Sequence, residues 1–367
     1  MRVAVLGAGG TIAPAIVRDL AESPEIDSMV LLDLAGDKAR AVADAQGGGK
    51  ATAAGLDASA EGALAAALDG CDALINSASY RLNLEVMRAC LDSGCHYLDL
   101  GGLYWVTQQQ LELSGEFEDA GLLALLGIGS SPGKTNLLAA RAVAELEGDV
   151  DSLHVAAGSR DLDPPESESF PYALRTLLDE VTLAPVVVRG GEPVEIPPLS
   201  DGGEVNFGDP IGTASTINTI HSEMLTFPTS FGCKEVSFRL SLPPAVEARL
   251  RELTAADDAE IARVMAASAP PSGATVSVHL VEASAGGRRI RARSLTPAHE
   301  GWGLGGGIVS TATPIAAAAR LLSRGELTRR GVLPPELCLD PDAMFAELET
   351  RGVIFDIQQL ETEEAKA

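Results

Sequence analysis

Cations are scarce in this sequence, the cysteines are odd in number with no CxxC pair, and no long apolar run occurs. Lys and Arg total 27 against 52 Asp and Glu, a formal net charge of −25 over 367 residues. So acidic a surface repels nucleic acid and anionic membranes, which leaves a small molecule as the expected partner. No apolar stretch reaches the ~18 residues that a bilayer span needs. The sequence enters a strand at once with "MRVAVLG", without the charged and apolar regions of a signal peptide, so no secretion is expected. Cys71, Cys90, Cys95, Cys233 and Cys338 match no zinc spacing, so reduced thiols in a cytoplasm and no metal are expected.

What is present is a rhythm. From residue 3 to about 126, short apolar runs ("VAVL", "MVLLD", "KATAAGLD", "DALIN", "HYLDL", "GLLALLG") alternate with amphipathic segments. The latter are Ala13 to Ala21, Lys38 to Gln46, Ala60 to Leu68, Leu84 to Ser93 and Val106 to Ala120. Strand then helix, repeated, implies right-handed crossovers and a Rossmann-type doubly wound parallel sheet over residues 1–128. Beyond it Pro, Gly and Asp become dense, and "TVSVHLVEA" and "RRIRARSL", joined by "SAGG", predict a hairpin. An α+β substrate and oligomerisation domain is expected over 129–305. The Ala- and Leu-rich helix and the rest of the chain, 306–367, are expected to pack back on the first domain, with the acidic tail "LETEEAKA" frayed. An open sheet has edges to cover, and a homo-oligomer is expected on that ground.

The turn Gly7-Ala8-Gly9-Gly10-Thr11-Ile12-Ala13 comes directly after the first strand and is expected to open a helix at Thr11. Backbone N–H groups at a positive helix end suit a pyrophosphate. Gly7 and Gly9 serve the tight turn and the close approach of phosphate. Ile12 replaces the glycine of the packing position, with Ala13 the small residue one place later. Asp33 ends the second strand about twenty residues on, where a carboxylate accepts the adenosine ribose hydroxyls. The alternative is a turn-capping Asp33. Asp57, Ser77 and Ala78, past the third and fourth strands, complete the expected cofactor contacts. Asp33 favours NAD, while Lys38 and Arg40 nearby leave NADP open.

Residues after the fourth, fifth and sixth strands are expected to face the nicotinamide: "NSASYRLN", "DLGGLYW" and "GIGSSPGKTN". Gly133-Lys134-Thr135 ends like a phosphate-binding P-loop but lacks its glycine spacing, so nucleotide hydrolysis is excluded.

"INSASYRLN", "HYLDLGGLY", "GIGSSPGKTNLLA", "IHSEMLTFP" and "GVLPPELCLDPDAMFAELETRGV" together resemble the saccharopine dehydrogenase family, most closely its short lysine 6-dehydrogenase-like members, from Met1 to about Phe355. The resemblance implies a nicotinamide-dependent oxidoreductase working on a CH–NH bond of an amino acid. Its reaction is oxidative deamination of a side-chain amine, or saccharopine-type chemistry on a secondary amine joining two amino-acid units. A dinucleotide-binding regulator without turnover is the reading from another class.

Either reaction needs a base for the amine proton and charges for the α-carboxylate and α-ammonium. His221 sits where the family often carries His, and Glu223 is expected to share its strand face and orient it; the alternative is a half-buried histidine bonded to backbone. Asp99 and Lys134 are the other base candidates, and a turn-capping Asp99 is the alternative reading. Arg81, Lys134, Arg160 and Arg175 are the cations for a carboxylate, or else partners of nearby acids. Arg81 and Lys134 depart from the lysine 6-dehydrogenase pattern and suit a substrate with an extra carboxylate. Tyr80, Tyr104 and Trp105 wall a nicotinamide pocket or simply pack, His96 and His154 read as core residues, and His299 and Glu300 precede a glycine-rich loop without a fixed role.

Overall fold

The computed structural model describes residues 1–360. Residues 361–367 of the acidic tail lie outside the described residues. Two compact units divide the described residues: Met1–Leu137 with Thr311–Leu348, and Leu138–Ser310 with residues 349–360.

In the first unit the six expected strands form as β1 (Arg2–Leu6), β2 (Ser28–Asp33), β3 (Ala51–Gly55), β4 (Ala73–Asn76), β5 (His96–Asp99) and β6 (Leu123–Leu125). A seventh, β15 in chain order (Gly331–Leu333), extends the sheet beyond β6. The order is β15-β6-β5-β4-β1-β2-β3, with every pair parallel. Helices cover both faces, so the central strands bury every residue of "VAVL" and "ALIN". The helix expected over 106–120 is two, Leu103–Leu111 and Ser114–Asp119, separated by the turn Glu112-Leu113. The strand order reverses between β1 and β4, which opens a crevice at their carboxyl ends.

The second unit is built on a nine-stranded mixed sheet. Its strands are β7 (Ser152–Asp161), β8 (Val186–Arg189), β9 (Glu192–Glu195), β10 (Asp201–Asn206), β11 (Thr213–Asn218), β12 (Glu235–Ser241), β13 (Thr275–Ala285), β14 (Arg288–Thr296) and β16 (Ile354–Leu360). The order is β10-β11-β12-β7-β13-β14-β16, with β8 and β9 attached to β12. β13 and β14 form the expected hairpin, turning at Gly286-Gly287.

The boundaries differ from those read in the sequence. The helix Lys134–Ala144 carries the chain out of the first unit at Leu137, past the expected residue 128, because a continuous helix makes the connection. The return, expected at 306, comes at Thr311 inside the helix Gly306–Ser323. The end of the chain does not stay with the first unit: β16 pairs along β14 from Arg289↔Leu360 to Leu295↔Ile354. "IFDIQQL" alternates in its burial, the period that suits a strand at a sheet edge.

Candidate active site

The crevice at the β1/β4 crossover is shaped by its glycines. Gly7 N and Ala8 N both donate to Leu32 O, at 2.8 and 3.1 Å, which turns the chain sharply off β1. Gly7 holds φ +79°, and a Cβ there would stand 2.6 Å from Ala78 N. No side-chained residue fits. The helix starts at Ala13 rather than Thr11, with Ile12 at the N-cap making no side-chain cap bond. Proline in the first turn fixes that start, since its ring is preset for N1. The first turn therefore presents uncapped N–H groups behind the exposed Gly10 and Thr11, as an anion site requires. Ala13, almost fully buried, fills the close-packing place that Ile12 vacates. Gly7→Val is expected to weaken dinucleotide binding roughly 10- to 100-fold through about 1–3 kcal/mol of backbone strain, measured by NAD(P)H fluorescence titration.

Asp33 lies across the same turn. Its Oδ2 accepts from Gly9 N at 2.9 Å and its Oδ1 from Ala35 N at 2.8 Å, so the carboxylate ties the glycine turn to the end of β2. Leu34 beside it is 78% exposed, an apolar side chain at the β2 edge that the sequence reading missed. Its signal was available: a leucine immediately after a strand-ending acid has no core to enter. Lys38 is exposed, with its Cβ 2.8 Å from where a Gly9 Cβ would be. Ser77 Oγ donates to Leu6 O at 2.7 Å and holds β4 against β1. Asp57 is exposed and bonds Ser59, closing a turn after β3.

Asp99, one of the base candidates, is fully buried at the end of β5. Its carboxylate accepts from Tyr97 Oη (2.8 Å), Gln110 Nε2 (2.7 Å), Asn83 Nδ2 (3.0 Å), Gly101 N (3.0 Å) and Gly127 N (2.6 Å). Burial pushes its pKa up and these five donors work against that. With five donors on two oxygens, the group serves as a latch between the loops after β5 and β6. Asn76 joins the network through Asn83 at 2.9 Å.

The latch positions Lys134. Gly133 (φ +123°) would place a Cβ 2.3 Å from Gly129 O, and Gly127 would place one 2.7 Å from Pro132 Cγ, so this loop after β6 closes only with glycine. Gly133 N donates to Asn136 Oδ1 at 2.8 Å and Asn136 Nδ2 to Glu336 at 2.8 Å, anchoring the helix that Lys134 begins. Lys134 is fully buried, and burial brings its pKa down from 10.5 to about 7. An N-terminal helix position adds to the bias against the ammonium form. Arg81, exposed in the turn Tyr80–Leu82 after β4, lies over the Tyr80 ring at 4.8 Å. Tyr104 is buried edge-on to the half-exposed Trp105, and Leu103 before it is held at φ 51°, a strained value for leucine.

A second group of ionisable side chains lies inside the second unit. His221 and Glu223 do not share a strand face, because the chain has left β11 at Asn218 and Glu223 begins the helix Glu223–Phe231. They remain neighbours across that junction, with Nδ1 3.5 Å from Oε2 and both side chains buried. The imidazole stacks on Phe238 at 3.4 Å. Burial alone would lower the His221 pKa, but the Glu223 and Glu180 carboxylates outweigh it and raise it. Glu180, missed in the sequence, is buried on the helix Leu174–Thr182 and accepts from Tyr172 Oη. Burial raises its pKa. Its signal was its place three residues after Leu177, on the apolar face of that helix. Arg160 reaches the Pro210 carbonyl at 3.0 Å, and Arg175 pairs with exposed Asp258 at 2.6 Å, which spends it at the surface. His96 Nδ1 accepts from Leu123 N at 2.9 Å, and His154 Nδ1 bonds Ser237 Oγ at 2.8 Å. His299 Nδ1 accepts from Trp302 N at 3.2 Å. Among the described residues no group of three His, Cys or acidic side chains is placed to hold a metal, and no helix is long and apolar enough to cross a membrane.

Residues 3–125 match the family model of the saccharopine dehydrogenase NADP binding domain. The first domain is similar to the dinucleotide-binding domain of the saccharopine dehydrogenases. Over the whole chain the fold is also that of a saccharopine dehydrogenase: the L-Glu-forming enzyme of Saccharomyces cerevisiae superposes with a TM-score of 0.71 at 16% identity, covering 98% of this chain and 100% of that one. A carboxyaminopropylagmatine dehydrogenase of Synechocystis sp. is 28% identical over 237 residues, covering 61% of this chain. The match spans 57% of that relative's length. The cofactor of the saccharopine dehydrogenase-type domain is NAD(P), and the Gly7 cradle and the uncapped helix N-terminus fit its pyrophosphate.

Proposed function

We propose that the protein is an NAD(P)-dependent dehydrogenase acting on a carbon–nitrogen bond of an amino-acid derivative, with a secondary amine as its substrate. The observation that carries this reading is Lys134. It is buried just past the carboxyl end of β6, in the unit that holds the dinucleotide cradle, and its pKa near 7 matches the task of a proton acceptor at neutral pH. The glycine turn and the first turn of the helix Ala13–Ala21 bind the pyrophosphate, and Asp33 orients the adenosine ribose. Bound NAD(P) supplies the hydride acceptor. Lys134 takes the proton from the substrate nitrogen, while the guanidinium of Arg81 suits a substrate carboxylate. The name of the Synechocystis relative describes an amino-acid unit, carboxyaminopropyl, joined to agmatine, and that supports a secondary amine linking two units.

The test is NAD(P)H absorbance at 340 nm with NAD or NADP against lysine, saccharopine and carboxyaminopropylagmatine in separate wells. Signal with one of the two secondary amines supports the proposal. Signal with lysine alone moves the protein to the lysine 6-dehydrogenase reading. Silence in every well, in both directions of reaction, sinks the enzyme reading in favour of a binding role.

A further inference from the structure

We infer that the amino edge of the first unit's sheet, opposite the dinucleotide crevice, carries a separate binding site for a small zwitterion, an aliphatic α-amino acid, held between Arg330 and Asp72 with His96 beside them. The inference goes beyond the proposed reaction and does not rest on it.

The three residues are far apart in the chain and the sheet gathers them. Asp72 immediately precedes β4, His96 opens β5 and Arg330 immediately precedes β15, all strands of one parallel sheet, so all three stand at its amino ends. With residues of the link between the helix Gly306–Ser323 and β15 they line a cleft of about 430 Å³, a size within the roughly 300–1,000 Å³ of small-molecule sites. Met1, Leu322 and Leu327 add aliphatic side chains to its lining.

Charge is the second, independent observation. Arg320 and Arg324, just upstream, hold two and three carboxylates. Arg330 makes no ion pair among the described residues, in a chain with 52 acids. Its Nη1 donates to the carbonyls of Leu327 and Arg329, both at 2.9 Å, which anchors the guanidinium. The Nε–Nη2 edge, a fork that takes a carboxylate bidentately, is left without a partner among the described residues. Asp72 accepts from Arg2 N at 2.7 Å through Oδ2, and Oδ1 remains as an acceptor. Both charges act on one imidazole: burial and Arg330 lower the His96 pKa while Asp72 raises it. Because His96 Nδ1 accepts from Leu123 N, the neutral ring carries its proton on Nε2 and is itself a donor. A cation and an acid that line one cleft without pairing with each other match a carboxylate and an ammonium on the same ligand. A simple anion would meet Asp72 and a simple amine would meet Arg330, so the cleft selects against each half alone. The aliphatic lining suits an apolar side chain.

Isothermal titration calorimetry of the full chain tests the site with L-leucine, with isocaproate, which lacks the ammonium, and with isoamylamine, which lacks the carboxylate. Leucine is expected to bind with a Kd of about 1 mM or tighter, and each half-ligand about 10-fold more weakly or worse. Arg330→Gln and Asp72→Asn are each expected to raise the leucine Kd by about 10-fold or more, with NADH binding at the opposite edge unchanged. Both side chains are exposed, and asparagine still accepts from Arg2 N, so both variants are expected to fold as the parent does. No saturable binding of leucine, either half-ligand binding as tightly as leucine, or leucine affinity unchanged in both variants overturns the site. Leucine affinity lost in Arg330→Gln but kept in Asp72→Asn leaves an anion site and overturns the zwitterion, and the converse leaves an amine site and overturns it equally.

Discussion

Lys134→Met is expected to lower turnover by roughly 10²–10⁴-fold while NAD(P)H still binds, and at the same time to raise thermal stability at pH 7. Both effects have one cause. The buried amine has its pKa brought down from 10.5 to about 7, so the folded protein disfavours the ammonium form by roughly 5 kcal/mol. Between those two values the unfolded chain holds a proton that the folded one has released, and stability of the parent therefore rises with pH across that window. Methionine has no proton to lose. Its advantage in melting temperature should be largest at or below pH 7 and shrink as pH climbs toward 10.5. In the oxidative direction the free amine is the active form, so parent activity should rise through a limb near pH 7 that the variant lacks. A variant that turns over like the parent would show that the lysine is not the base, and one no more stable at pH 7 would show that it is not held at a cost.

Arg320→Met is expected to destabilise the first unit by about 3–5 kcal/mol, a fall on the order of 10 °C in melting temperature. Arg320 sits on the helix Gly306–Ser323 and is only 4% exposed. Its Nη1 donates to Asp19 Oδ1 and its Nε to Glu347 Oε2, both at 2.7 Å, and Nη1 also reaches Ser23 Oγ at 3.2 Å. Asp19 is fully buried on the helix Ala13–Ala21. Removing the guanidinium leaves its carboxylate inside without its cation, which costs far more than an exposed pair is worth. The ion pairs tie the helix that begins the dinucleotide site to a segment some 300 residues later in the chain. The pair Asp19→Asn with Arg320→Met should recover part of the loss, and a double-mutant cycle by thermal melting measures how much. A single variant melting within a degree of the parent would refute the pairing.

The sequence alone determined the features that short stretches of chain decide. Alternating apolar runs and amphipathic segments specify strands and crossover helices because periodicity is a local property, and a glycine turn with Asp33 about twenty residues beyond it is a pattern along the chain. Thus the parallel sheet, the phosphate cradle and the family resemblance were legible in the residues themselves. Tertiary structure alone decided what each ionisable residue is for. Asp99 reads as a possible base until Gln110 and Gly127 donate to it from 11 and 28 residues away. Lys134 reads equally as a base, a carboxylate-binding cation or the partner of a nearby acid until the fold buries it completely and brings its pKa down to about 7. Glu180 reads as one acid among 52 Asp and Glu until the fold brings it to His221. Even the last strand, β16, chose its sheet by pairing with β14. Burial and long-range contact set the electrostatic environment of a group, and neither is written in its neighbours along the chain.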